Sequence, residues 1–223
     1  MKIVFDAYGT LWNVSQIEHA CGMVVGEKDA RPLLDLWRRK QLEYAFLRTV
    51  MDRYAPFEQI TADALHFALE SLRLEVSADS AQDLIQAWYQ PEAYRDAGPM
   101  LQSLKGHERA ILSNGDRVML SRGVEASKLG EYLEAVLSVA STRRYKPHPD
   151  AYQLACNYWK ADPQHIVFVS SNGWDVAGAS HFGFHTIWVN RSGLPQEGLG
   201  ARPLAVVASL AELPEALSQA GLA

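Results

Sequence analysis

The chain has 223 residues, enough for one large domain or a core carrying an insertion. A formal charge of −5 argues against nucleic acid as the main partner, and no apolar run reaches the roughly 18 residues a membrane span needs. Cys21 and Cys156 stand far apart and fit neither a metal spacing nor a disulfide framework, which makes both core residues of a cytoplasmic protein.

The first element is an apolar strand over 2–6 that ends on an acid, "KIVFD", after which Gly9-Thr10 turns the chain away. From about 14 to 95 no convincing strand follows. Helical periodicity marks 30–54 and 60–73, with turn signals near Pro56 and at 76–80. Strands and helices then alternate. Apolar runs at 109–114, 135–140, 165–171, 185–190 and 205–209 are separated or followed by helical patterns at 98–105, 116–127, 149–160, 173–182 and 210–219. Continuous apolar strands alternating with helices predict an α/β, doubly wound, Rossmann-like parallel sheet covered on both faces. The helical stretch reads as a cap inserted after strand 1. The domains are then a core of 1–13 and 96–223 and a cap of 14–95.

In open parallel sheets the ligand crevice lies at the carboxyl ends of the strands. Polar residues gather at those ends: Asp6, then Ser113-Asn114-Gly115, then Lys146, then Ser170 to Asp175. His181 and His185 are separated by Gly183 at a helix end and make no metal pair, and the chain has neither a nucleophile elbow nor a P-loop. The basic run "RRYK" at 143–146 reads as a solvated loop apart from its lysine.

Taken in order, "FDAYGTLW", "LWRRKQLEYAFLR", "LSNG", "YKPHPDAY" and "FVSSNGWDVAGA" resemble the haloacid dehalogenase superfamily, and within it the metal-independent L-2-haloacid dehalogenases. The resemblance covers nearly the whole chain. It implies hydrolysis of short L-2-haloalkanoic acids to D-2-hydroxy acids through an aspartyl ester, with inversion at C2, no cofactor, no metal and a homodimeric assembly. Asp6 would be the nucleophile, and Lys146 would orient it; a pair at about 4 Å in an effective dielectric of about 20 attracts by about 4 kcal/mol. Asp175 would activate the water, with Ser170 and Asn172 supporting that water or Lys146. Thr10 would hold the Asp6 rotamer. Arg38 and Asn114 would receive the halide, and Ser113 the substrate carboxylate. Tyr8, Leu42, Phe57 and Trp174 would wall an apolar pocket, with Tyr152 leaning on the site.

Two departures matter. Phosphatases of the superfamily carry a second Asp where this chain has Tyr8, and an acidic pair for Mg²⁺ where it has Ser170-Ser171-Asn172-Gly173-Trp174-Asp175, with a single acid. A halide leaves without a proton, so Tyr8 suits the dehalogenase. Arg39 stands where the resemblance leads one to look for Gln. The alternatives are a small-molecule phosphatase of the same superfamily and a non-catalytic carboxylate-binding relative.

Overall fold

Ile3, Val4 and Phe5 are wholly shut off from solvent because their strand, β1 (Lys2–Phe5), lies in the middle of the sheet. The computed structural model describes residues 1–222. β1 pairs in parallel with β4 (Glu108–Ser113) on one side and β6 (Ile166–Ser170) on the other, so that Phe5 faces both Ile111 and Val169. β5 (Ala135–Ser138) extends the first side, and β7 (His185–Val189) and β8 (Ala205–Val207) extend the second, giving the order β5-β4-β1-β6-β7-β8. All pairings in this sheet are parallel. Helices α5 (Ala97–Ser103), α6 (Arg117–Ser127), α7 (Pro149–Trp159), α8 (Gly173–Phe182) and α9 (Leu213–Gln219) make up the rest of this half. From β1 the strand order runs outward through β4 and β5 to one edge, then crosses over to β6, β7 and β8 on the other side, so the crevice opens above the ends of β1, β4 and β6.

Between β1 and α5 lie four helices: α1 (Ser15–Val25), α2 (Glu27–Val50), α3 (Phe57–Leu72) and α4 (Ala78–Ala87). In α2 the buried positions are Ala30, Leu33, Leu34, Trp37, Gln41 and Ala45, one stripe at helical spacing. Gln41 is the polar member of that stripe. The two ends of the helical segment are clipped together by an antiparallel ribbon, β2 (Trp12–Asn13) against β3 (Glu92–Ala93). Just beyond, Arg191 clamps Asp96 with both guanidinium nitrogens at 2.8 and 3.1 Å and also donates to the Thr10 carbonyl. Among the described residues no helix is long and apolar enough to cross a membrane.

Several expectations need correction. The span 14–95 does contain a strand, the two residues of β3. α2 begins at 27 and stops at 50, because Asp52 takes a positive φ of 57° that ends the helical path. The helical pattern over 210–219 divides into a 3₁₀ turn, Leu210–Glu212, followed by α9. The run at 143–146 is not free loop. Arg144 pairs with Asp52, and Arg143 lies 5.3 Å over the Tyr54 ring, so both arginines reach the helical segment. Cys21 and Cys156 are free thiols buried in α1 and α7.

Candidate active site

Asp6 follows the last residue of β1, its N–H still donating to the Val169 carbonyl at 2.9 Å. The strand therefore fixes its backbone, and the side chain emerges into the crevice. Its two oxygens are treated differently. Oδ2 accepts from Asn172 Nδ2 at 2.8 Å and Thr10 Oγ1 at 3.1 Å, with Ser170 Oγ at 3.5 Å. Oδ1 accepts from Lys146 Nζ alone, at 3.1 Å. Thr10 is itself anchored, because its hydroxyl oxygen accepts from the Ser171 N–H at 2.8 Å.

Lys146 is 1 % exposed, and its ammonium lies between two carboxylates, donating to Asp175 Oδ2 at 2.9 Å as well as to Asp6. Burial pulls its pKa down, but Asp175 and Asp6 together overbalance that and raise it above the ordinary lysine value. Its ammonium fills the space between the two acids. Among the described residues no group of three or more His, Cys, Asp and Glu side chains is placed to hold a metal.

Asp175 is the third residue of α8 and is wholly buried. It is no helix cap; that place belongs to Asn172, whose side chain is turned to Asp6. Its remaining oxygen accepts from Tyr152 Oη at 2.8 Å, and Ser170 Oγ lies 3.3 Å from Oδ2. Burial pushes the Asp175 pKa up to about 6, against the opposing pull of Lys146; the charge of Asp6 adds to the rise, and the hydrogen bonds from Lys146 and Tyr152 resist it.

This has a consequence for pH. The folded protein holds the Asp175 proton to higher pH than an unfolded chain, whose ordinary value is 3.8. Ionising Asp175 therefore lowers stability as pH rises from about 4 to about 6. Activity that needs the carboxylate rises around pH 6, where Asp175 ionises in the folded protein. Tyr152→Phe removes one donor to the anion and is expected to move the acid limb of the pH–rate profile upward, with a loss of about 7- to 80-fold at pH 6, the range for one hydrogen bond of about 1.5–3 kcal/mol to a charge. An unmoved limb would sink the assignment.

Ten of the expected residues enclose one cavity: Asp6, Tyr8, Ser113, Asn114, Lys146, Asn172 and Trp174 from the sheet side, and Arg38, Leu42 and Phe57 from α2 and α3. The enclosed space is about 20 Å³, enough for something the size of water. A larger groove of about 560 Å³, between α6, β5 and α7, is lined by Leu120, Val124, Leu137 and Leu154 and contains no carboxylate. Chemistry, not size, marks the site. Asp175 and Tyr152 do not border the cavity; they lie behind Lys146. Ser170 Oγ lies near both acids and Asn172 donates to Asp6; of the two expected roles, support of the water or of Lys146, this placement on the carboxylates suits the water.

The amides and aromatics are also fixed. Asn114 Oδ1 accepts from the Lys146 N–H at 3.0 Å, leaving Nδ2 as the free donor. Ser113 is buried and its hydroxyl accepts from Gly115 N–H at 3.3 Å. Tyr8 Oη donates to the Trp88 carbonyl at 2.7 Å, and burial drives its pKa far above that of an ordinary phenol. Trp174 packs edge-on against Phe46 at 5.0 Å. Arg38 lies 5.4 Å over Trp88, and burial lowers its pKa while Asp6 and Tyr8 oppose the fall. Arg39 is exposed and faces away. Gln41 and Trp88, which contact Arg38, and Thr61, which contacts Gln41, carry no functional signal in the sequence.

The profile of haloacid dehalogenase-like hydrolases matches residues 3–183. The chain is 44% identical over 216 residues, 96% of its length and 95% of the relative's, to (S)-2-haloacid dehalogenase 1 of Pseudomonas sp. (strain CBS-3). It is equally 44% identical to (S)-2-haloacid dehalogenase 4A of Burkholderia cepacia, over 94% of this chain and 91% of the other. The solved L-2-haloacid dehalogenase of Xanthobacter autotrophicus with chloropropionic acid covalently bound superposes with a TM-score of 0.91 at 37% identity, covering 100% of this chain and 99% of that one.

Proposed function

The chain belongs to the haloacid dehalogenase-like hydrolases, and from that premise we propose a reaction and assign its parts. The protein is an (S)-2-haloacid dehalogenase. It hydrolyses short-chain L-2-haloalkanoic acids to D-2-hydroxy acids through an aspartyl ester, with inversion at C2.

The observation that carries the residue assignment is the uneven dressing of Asp6. Oδ2 is engaged by Asn172 Nδ2 and Thr10 Oγ1, with Ser170 Oγ near it, whereas among the described residues Oδ1 has Lys146 as its one partner, and Asp6 lines the cavity. Oδ1 is then the nucleophile. It forms a bond to C2 as the carbon–halogen bond breaks, and the electron pair leaves with the halide. Arg38 and the free Nδ2 of Asn114 meet that growing negative charge, where a fixed donor stabilises the transition state more than the substrate. Ser113 binds the substrate carboxylate. Tyr8, Leu42, Phe57 and Trp174 exclude water from the alkyl group.

The same dressing serves the second step. In the ester, Oδ2 becomes the carbonyl oxygen, and Thr10 and Asn172 already donate to it. Water attacks the Asp6 carbonyl carbon, and the negative charge collects on Oδ2. One proton of the water passes to Asp175 by way of Ser170, whose hydroxyl lies 3.3 Å from Asp175 Oδ2. The alkoxide leaves carrying the former Asp6 Oδ1 and takes the water's second proton to become the hydroxy acid; the water's oxygen stays in Asp6, and the proton held by Asp175 is released to solvent. Because C2 is displaced once, its configuration inverts.

Residues 14–95 serve as the cap over a core of 1–13 and 96–223. A cytoplasmic homodimer completes the proposal, with the exposed Met23, Val50 and Met51 as apolar surface for a second copy.

The test is halide release from L- and D-2-chloropropionate, with EDTA and with Mg²⁺. Release from the L enantiomer, indifferent to both additions, is expected. No release from the L enantiomer, or release that needs Mg²⁺, would overturn the reading and return attention to phosphate esters.

A further inference from the structure

Among the described residues Arg38 has no carboxylate partner within salt-bridge distance, although it lies in a site with two acids. Its hydrogen-bond partner is neutral: Nη1 donates to Gln41 Oε1 at 2.9 Å, one turn along α2. Gln41 is 0 % exposed and sits in the stripe that α2 turns toward its neighbours. Its other end is held across the helix interface, Nε2 donating to Thr61 Oγ1 at 2.7 Å on α3.

The direction of this chain is determined. The Thr61 hydroxyl gives its proton to the Phe57 carbonyl at 2.7 Å, so its oxygen can only accept from Gln41. The Gln41 group facing Thr61 must therefore be the NH₂. The amide oxygen is left to face the guanidinium. Trp37 Nε1, donating to the Thr61 carbonyl at 2.8 Å, ties the two helices at the same level. A surface glutamine would turn freely; this one is locked at both ends.

Resting on the proposed reaction, in which Arg38 receives the halide, we propose that Gln41 is a positioning residue, backed by Thr61, which aims the Arg38 guanidinium without neutralising it. A carboxylate at this position would orient Arg38 equally well. It would also satisfy the positive charge, so that an incoming halide would have to compete with it. A neutral acceptor leaves the full charge for the leaving group.

The test compares Gln41→Glu and Gln41→Met with the wild-type protein. Circular dichroism and the unfolding midpoint verify that each variant is folded, and Thr61→Ser, which keeps the hydroxyl, serves as the conservative control against Thr61→Val. One readout is the ratio of kcat/KM for L-2-bromopropionate to that for the chloro acid. A general structural defect lowers both equally. Misplaced or neutralised Arg38 harms the poorer leaving group more, so the ratio is expected to rise about threefold or more in Gln41→Glu, Gln41→Met and Thr61→Val and to hold in Thr61→Ser.

The second readout needs no turnover. Iodide binding is followed as saturable quenching of tryptophan emission, since Trp88 lies beneath Arg38. Affinity is expected to fall about tenfold or more in Gln41→Glu. Wild-type iodide affinity together with an unchanged bromo-to-chloro ratio in Gln41→Glu would overturn the proposal. If the wild type itself released no halide, the reaction would be at fault, and the iodide titration would still decide whether Gln41 governs anion binding at Arg38. Where Gln41→Glu does not fold, the Thr61→Val and Thr61→Ser pair decides by the same two measurements.

Discussion

Asp6→Asn is expected to reduce halide release by about 10⁴-fold or more, leaving no detectable ester, while the unfolding midpoint moves by only a few degrees. The reasoning is atomic. The reaction needs an anionic oxygen at Oδ1 with a lone pair free to reach C2, and an amide supplies none at the required basicity. The fold does not depend on that charge. Lys146 keeps its 2.9 Å partner Asp175, and the two acids no longer repel each other across the ammonium. The charge of Asp6 is one of the causes that raise the Asp175 pKa, so the variant's Asp175 ionises at lower pH than the wild type's. Intact-mass spectrometry of enzyme mixed with L-2-chloropropionate would detect the ester, and hydrolysis in ¹⁸O-labelled water would mark Asp6 of the wild type. Residual turnover within about 100-fold of wild type would mean that another group performs the displacement.

Lys146→Met is the second large effect, and it separates charge from packing. The stem is buried and its ammonium lies 4.9 Å from the centre of the Phe168 ring, so methionine fills most of the same volume. What is removed is the cation between two acids. Activity is expected to fall about 10³-fold or more, because Asp6 loses the partner that aims it. Stability is expected to fall by about 3–5 kcal/mol at pH 8, the usual result of leaving a buried charge without its partner. At pH 5 the loss is expected to be clearly smaller. Asp175 already titrates at about 6 with Lys146 present, and without the lysine's opposing pull it takes a proton well above that. Denaturant unfolding at the two pH values checks this. An equal loss at both would mean that the lysine acts through shape. Arginine is no substitute, since a planar fork does not fit the point that an ammonium occupies between Asp6 and Asp175.

What could be read from the chain follows from how local each signal is. β6 was legible to within a residue at each end because five consecutive buried residues, Ile166–Ser170, form an unbroken apolar run ending in a hydroxyl. The acid, serines and lysine at the strand ends were legible because topology alone directs them to one crevice. α4 was not, nor were the bounds of α1, of which a helix-like pattern shows only around Cys21; the two bury few residues, Ile17, Cys21 and Gly22 in α1 and Leu84 in α4. β3 is two residues long, and its partner Trp12 lies some eighty positions away. The link from Arg38 through Gln41 to Thr61 was unreadable for a different reason. Glutamine suits a solvated helix face, and only the packing of α2 on α3 shows that this one is enclosed. The outward direction of Arg39 was available in principle, since it falls off the stripe Ala30, Leu33, Leu34, Trp37, Gln41, Ala45.

Tyr8 bears on how such a site changes over generations. Its hydroxyl is tied to the Trp88 carbonyl beside the helical segment, and its ring packs on Trp12 and Trp88 at 5.0 and 5.5 Å. Restoring the second acid of the phosphatases at this position would therefore do three things at once. It would cut the tether, empty an aromatic cluster and place a third carboxylate beside Asp6. An ancestor or descendant crossing between phosphate and halide chemistry by that single codon would pass through a protein that is both loosened and electrostatically frustrated. The packed tyrosine thus couples position 8 to Trp12 and Trp88, so an exchange for aspartate calls for compensating changes around both rings.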